Sequence, residues 1–153
     1  MSQEKTGERM ERSLMHLLHR VGQCAGEVFQ LESANGDLTP RQYAILVTVA
    51  EYEGLSQTSL VERTGIDRST LADIIRRMLK KGLLQRRRTR EDARANEVKL
   101  TEEGWRALRS AEPIVRRVDE RILGALPGRN RVRFLWDLKL IVDNLSTLAG
   151  GRP

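Results

Sequence analysis

Five arginines between positions 86 and 94 are the side chains of this chain best suited to chemistry with another molecule. They are Arg86, Arg87, Arg88, Arg90 and Arg94, and Asp92 stands two residues before the last of them. A guanidinium is a permanent cation with a planar fork of donors, a shape that matches phosphate oxygens and guanine edges. In a tight turn the Asp92 carboxylate can hold the backbone or the stem of Arg94, which aims that guanidinium at a narrow, electronegative minor groove. On a strand Arg86, Arg87 and Arg88 alternate faces, so they do not all reach the same phosphates. A second set, Arg68, Ser69, Thr70, Asp73 and Arg76, lies at helical spacing. Arg takes guanine O6 and N7 together, Ser and Thr donate or accept, and Asp accepts from cytosine N4. A carboxylate at position 73 would be out of place on a face that sought phosphates alone. Both sets point to double-stranded DNA as partner.

The elements that must position these side chains are legible in their stop and start signals. Thr39 caps a helix with Pro40 at its first position, and Gln42 completes a capping box. Gly54 stops that helix. Ser56 caps the next, Gln57 to Thr64, and Gly65 suits the left-handed position that closes it. Asp67 then caps a third helix, Arg68 to Lys81, which Gly82 ends. Two helices joined by a short glycine-containing turn make a helix-turn-helix, whose second helix is the reader. Within it Leu71, Ile75 and Met78 share one face, with Ile74 and Leu79 at its edges, and Ser69, Asp73, Arg76 and Lys80 share the opposite one. Leu83 to Thr89 and Asn96 to Leu100 read as two strands around a polar tip, the wing.

Three amphipathic helices flank this unit. Ser13 to Ala34 carries Leu14, Leu17, Leu18, Val21, Cys24, Ala25, Val28 and Leu31 as a stripe. Thr101 caps a helix running to about Ala125, which Pro113 is expected to kink or break. The last, about Asn130 to Leu148, aligns Val132, Leu135, Leu138, Ile141, Val142, Leu145 and Leu148. The fold class is mainly α with a small β-hairpin: a winged helix-turn-helix lobe (37–101) between an N-terminal dimerisation helix (1–36) and C-terminal dimerisation helices (102–153), in a single compact domain. The first and last helices are expected to pack together as a layer whose stripes bury against a second copy. A two-fold homodimer then sets two readers one turn of DNA apart on a pseudo-palindrome.

The chain has 153 residues, with 27 basic and 21 acidic side chains for a net charge of +6, a balance that suits a polyanion. Only six residues are aromatic, which excludes a base-stacking platform. No apolar run approaches the length of a membrane span, and the polar N-terminus lacks a signal-peptide core, so a cytoplasmic location is expected. No Gly-rich phosphate loop, paired metal-ligand motif or Ser/His/Asp signature is present, so neither an enzyme nor a cofactor is expected. The lone Cys24, set in an apolar stripe, reads as a buried core thiol; a thiol-based redox switch is the alternative. His16 and His19, three apart, do not make a recognised zinc spacing. With Arg20 and Tyr43 they form instead a candidate set of polar contacts to a ligand.

Leu38 to Trp105 resembles the MarR (multiple antibiotic resistance regulator) family of dimeric winged-helix regulators. The segments that carry the resemblance are "LTPRQYAILVTVAE", "SQTSLVERTGIDRSTLADIIRRMLKKGLLQRRRTREDARANEVKLTEEG" and the Asp92-x-Arg94 pair, and the flanking helices match the family's dimerisation elements in position and length. The resemblance implies that Arg94 is a wing-tip minor-groove arginine, that Asp92 positions it, and that Arg68, Ser69 and Thr70 read the major groove. It also implies a repressor released by a small amphipathic effector, an aromatic acid or its coenzyme-A thioester, bound where the first helix meets the DNA-binding lobe. The alternative function is a sequence-indifferent architectural DNA-binding protein.

Overall fold

The computed structural model describes residues 11–33, 38–52, 54–88 and 96–150. Among the described residues six helices and one hairpin follow in order: α1 (Leu14–Glu32), α2 (Pro40–Glu51), α3 (Gln57–Thr64), α4 (Arg68–Lys80), β1 (Leu84–Arg88), β2 (Asn96–Leu100), α5 (Glu102–Gly124) and α6 (Gly128–Gly150). The caps fall on the expected residues. Thr39 and Gln42 exchange both bonds of a capping box, at 3.2 and 3.0 Å. Ser56, Asp67 and Thr101 each accept a backbone N–H from three residues on. Gly65 closes α3 at φ 68°, and Gly82 turns the chain after α4 at φ 74°.

The core belongs to the winged-helix lobe. Ile45 and Leu46 of α2, Leu60 of α3, Leu71, Ile75 and Met78 of α4, and Val98 of β2 are fully buried together. Leu108 and Ala111 of α5 close that cluster from one side. The strands pair antiparallel with Leu84 opposite Leu100, Arg86 opposite Val98, and Arg87 opposite Glu97. The Val98 N–H donates to the Leu55 carbonyl at 3.3 Å, which fastens the hairpin to the α2–α3 connection.

Three expectations are corrected. Pro113 does not break its helix: α5 runs unbroken across it. Pro113 is exposed, so water can satisfy the carbonyl its missing N–H leaves, while buried Leu108, Ala111 and Val118 hold the helix on both sides. The stripe on α1, expected to bury against a second copy, stays open within one chain. Leu14, Met15 and Leu31 are 64–79% exposed, and α1 instead packs along α5 through Phe29, its one buried residue. Nor do α1 and α6 form a joint layer inside one chain: the extensive partner of α1 is α5, and α6 has none among the described residues. Cys24, on the same open flank, is exposed and is not a core thiol.

Candidate nucleic-acid interface and adjoining cavity

The polar face of α4 starts from one carboxylate. Asp67 accepts the Thr70 N–H at 3.0 Å and the Ser69 hydroxyl at 2.8 Å. Hydrogen bonds from Thr70 and then Ser69 hold its pKa down at about 2. Ser69 is exposed and Thr70 half-buried, and both are turned toward the cap. Arg68 is exposed and reaches back to the Thr58 hydroxyl of α3 at 3.5 Å, so the two helices of the helix-turn-helix share a contact at the mouth of the reader. One turn on, Asp73 and Arg76 pair at 3.0 Å, both more than half exposed. An ion pair so open adds little stability, but it limits where the guanidinium can point. Arg77, Lys80 and Lys81 extend the exposed cationic surface to the helix end.

On the hairpin, Arg86 and Arg87 are exposed on opposite faces of β1. Arg87 stands across from Glu97, which itself pairs with Lys99 at 3.8 Å. Arg88 takes the last β1 position, opposite Asn96. Arg90, Asp92 and Arg94 lie outside the described residues. Two further exposed cations lie beside the reader, Arg77, which the helical period sets at the flank of its polar face, and Arg41, which was not singled out from the sequence. Arg41, in the first turn of α2, is close enough to Asp67 to help lower its pKa, and Arg77 adjoins Arg76. The signal available for Arg41 was its place just after the Thr39-Pro40 helix start.

Behind the reader a cavity of about 700 Å³ lies between the end of α1, the turn after α4, and the first half of α5. Phe29, Leu38, Leu83, Ala107, Ala111 and Ile114 give it apolar walls, and Lys81, Arg106, Arg117, Glu32 and Glu103 give it charge. Glu32 is nearly covered and accepts from Arg117 at 2.8 Å and Arg121 at 2.6 Å. Those guanidiniums, Arg117 first, hold its carboxyl below the usual range. The size and the mixture of apolar wall and few charges suit a small amphipathic molecule.

None of His16, His19, Arg20 and Tyr43 lines this cavity. Arg20 precedes Phe29 by nine residues, about 13 Å along a helix, and the histidines lie further still. Arg20 and His19 are exposed and His16 half-buried on the open flank of α1. Tyr43 is half-buried against the core. Burial pushes its phenol up, and the acidic neighbours Glu112, Asp119 and Glu51 push the same way. Burial also raises the Asp119 carboxyl. That acidic setting disfavours an anionic group beside Tyr43. No hydrogen bond or ion pair among the described residues joins the four. Among the described residues no cluster of His, Cys, Asp and Glu could hold a metal ion, and no helix is long and apolar enough to cross a membrane.

Comparison with known proteins agrees with this fold. The profile of the MarR family matches residues 38–95. The transcriptional regulator HosA of Escherichia coli O111:H- is 38% identical over 99 residues, which span 65% of this chain and 73% of that protein. Among solved structures, BpsR of Bordetella bronchiseptica, whose DNA binding is regulated by 6-hydroxynicotinic acid, superposes with a TM-score of 0.80 at 26% identity, over 86% of this chain and 94% of that one. The transcriptional repressor CouR, bound to a 23-mer DNA duplex, superposes with a TM-score of 0.79 at 28% identity and the same coverage.

Proposed function

Because this chain belongs to the MarR family of transcriptional regulators, we propose that it is a homodimeric repressor of a pseudo-palindromic operator, released by an aromatic acid or its coenzyme-A thioester. The DNA contacts are Arg68, Ser69, Thr70, Asp73 and Arg76 in the major groove, with the wing arginines Arg86, Arg88, Arg90 and Arg94 and the positioning Asp92 alongside. The observation that supports this reading best is the adjacency of two features. The exposed cationic face of α4 ends at Lys81, and Lys81 and Leu83 are also walls of the amphipathic cavity. A ligand that binds one arrangement of that junction better than the other shifts the reader's equilibrium by the difference in affinity. CouR on DNA and BpsR with its hydroxynicotinic acid support the same pairing of partners. The effector is assigned here to the cavity rather than to His16, His19, Arg20 and Tyr43.

The second copy is supported by what one chain leaves open. No residue from 128 to 147 in α6 is buried, yet Val132, Leu135, Trp136, Leu140 and Val142 are each more than half exposed. A contiguous apolar patch of this kind marks an interface. Pairing through it with the open flank of α1 spaces the two α4 helices for adjacent major grooves.

A gel shift against DNA from the protein's own upstream region, titrated with salt and with aromatic acids and their thioesters, tests the reading. Selective binding relieved by one compound is expected. Binding indifferent to sequence would instead favour an architectural protein.

A further inference from the structure

We propose that Lys81 binds the carboxylate of the effector, so that the cavity selects a free aromatic acid over its amide or thioester. The proposal rests on the ligand-released reading above and narrows it. Three cationic side chains line the cavity, and two are already engaged. Arg106 is held by Glu103 at 2.6 Å and Glu102 at 3.7 Å, and Arg117 by Glu32 at 2.8 Å. A ligand carboxylate at either arginine must displace a resident one, and Glu32 is held by two guanidiniums at once. Lys81 makes no ion pair among the described residues. Its ammonium is therefore the cation that an incoming acid can engage without breaking a contact. The apolar walls from Phe29, Leu38, Leu83 and Ile114 are left for the ring.

The position of Lys81 gives occupancy a path to the reader. Lys81 is the C-cap of α4, its N–H donating to the Arg77 carbonyl at 2.9 Å. A cation there stabilises the last helical turn, whose free carbonyls make the negative end of the helix dipole. A carboxylate bound to the ammonium neutralises that charge, while a ring against Leu83 bears on the residue that leads into β1. Acid binding thus loosens the end of α4 and the base of the wing together, and an uncharged analogue that fills the same space does not.

Calorimetric titration of the full chain without DNA tests this with two acid and amide pairs, 6-hydroxynicotinic acid with 6-hydroxynicotinamide and benzoic acid with benzamide. The expected result is that at least one acid binds about tenfold tighter than its amide, the scale of one charge-assisted contact at a partly open site. Lys81→Met collapses that ratio toward one by weakening the acid alone, Lys81→Gln does the same, and Lys81→Arg restores most of it. Equal acid affinity in the unaltered chain and Lys81→Met overturns the proposal. So does equal binding of acid and amide to the unaltered chain, though the cavity reading survives if Ile114→Trp then abolishes both. Absence of binding by every compound refutes the proposal and the aromatic-acid reading together.

Discussion

Gly104 provides a test in which two physical effects predict opposite signs. It sits in the first turn of α5, is buried, and packs against the carbonyl of Leu83. A Cβ built there would overlap the Leu83 carbonyl oxygen, with the carbonyl carbon at 3.2 Å and the Leu100 Cβ at 3.4 Å. The obstacle is backbone, which cannot rotate away. Helix propensity alone makes Gly104→Ala stabilising by about 1 kcal/mol. Carbon–oxygen contacts normally sit near 3.3 Å or beyond, so the start of α5 must retreat by roughly 1 Å to admit the methyl group. That retreat strains the clamp at Thr101, whose hydroxyl donates to the Gly82 carbonyl while accepting the Gly104 N–H, and whose own N–H donates to the Leu83 carbonyl at 3.2 Å. Overpacking of this kind costs ~1–3 kcal/mol. The net expectation is destabilisation of up to about 2 kcal/mol once the propensity gain is subtracted. Urea denaturation at one fixed protein concentration measures it, because a dimer's midpoint moves with concentration. Operator affinity is expected to fall as well, since the displaced turn joins α4 to the wing. A variant more stable than the parent by about 1 kcal/mol would refute the close-packed junction and leave only propensity at work.

Other substitutions separate the remaining parts. Arg68→Ala and Arg76→Ala each cost about 1–3 kcal/mol of operator binding if their guanidiniums reach base edges, and flatten preference at one operator position in a competition gel shift; a uniform loss across sequences would make them phosphate contacts. Leu135→Glu with Val142→Glu is expected to yield a monomer by sedimentation with α4 intact and operator affinity lost, whereas a surviving dimer would remove α6 from the interface. Asp67 has a folded pKa of about 2 against an ordinary 3.8, so its contribution is complete above 3.8 and disappears as pH falls toward 2. Asp67→Asn keeps a capping side chain without the titration, so the fall in Tm of the parent relative to this variant between pH 5 and 2 reads that contribution directly. A constant difference between the two across that range would show that the Asp67 charge is not stabilised by folding.

Most of the reader was legible because its signals are local. A cap acts within three residues, so Thr39, Ser56, Asp67 and Thr101 announce their helices in the sequence, and Leu71, Ile75 and Met78 declare the buried face of α4 by period alone. The errors arose where meaning depends on what lies opposite. Cys24 was read as a core thiol from its place in the α1 stripe, but its own chain packs nothing extensive against most of that stripe, so the thiol is exposed. Phe29, off that stripe, is the residue that reaches α5. Pro113 breaks an isolated helix but not one held by burial on both sides. The cavity was invisible for the same reason: Phe29, Lys81 and Ile114 come together only when α1, the end of α4 and α5 are assembled.

That assembly also gives the proposed effector a route to the DNA-binding lobe without touching DNA. The Leu83 N–H closes the turn onto the Met78 carbonyl of α4, and two bonds join that turn to the start of α5: the Thr101 N–H to the Leu83 carbonyl and the Thr101 hydroxyl to the Gly82 carbonyl. The same stretch of α5 carries Glu103, Arg106 and Ala107 into the cavity. The far wall comes from α1, tied to α5 by Glu32 through Arg117 and Arg121. An occupant therefore bears on a helix fastened to α1, the flank proposed to face the second copy, and on a turn fastened to α4. Packed interfaces respond to such loads by changing between discrete arrangements. A small change in the angle between lobe and flank alters the separation of two readers in a dimer, and because both must fit their grooves at once, operator affinity depends steeply on it. On the proposed reading the wing arginines and the α4 face supply attraction to DNA, and the Gly82–Gly104 junction determines whether two copies exert it together.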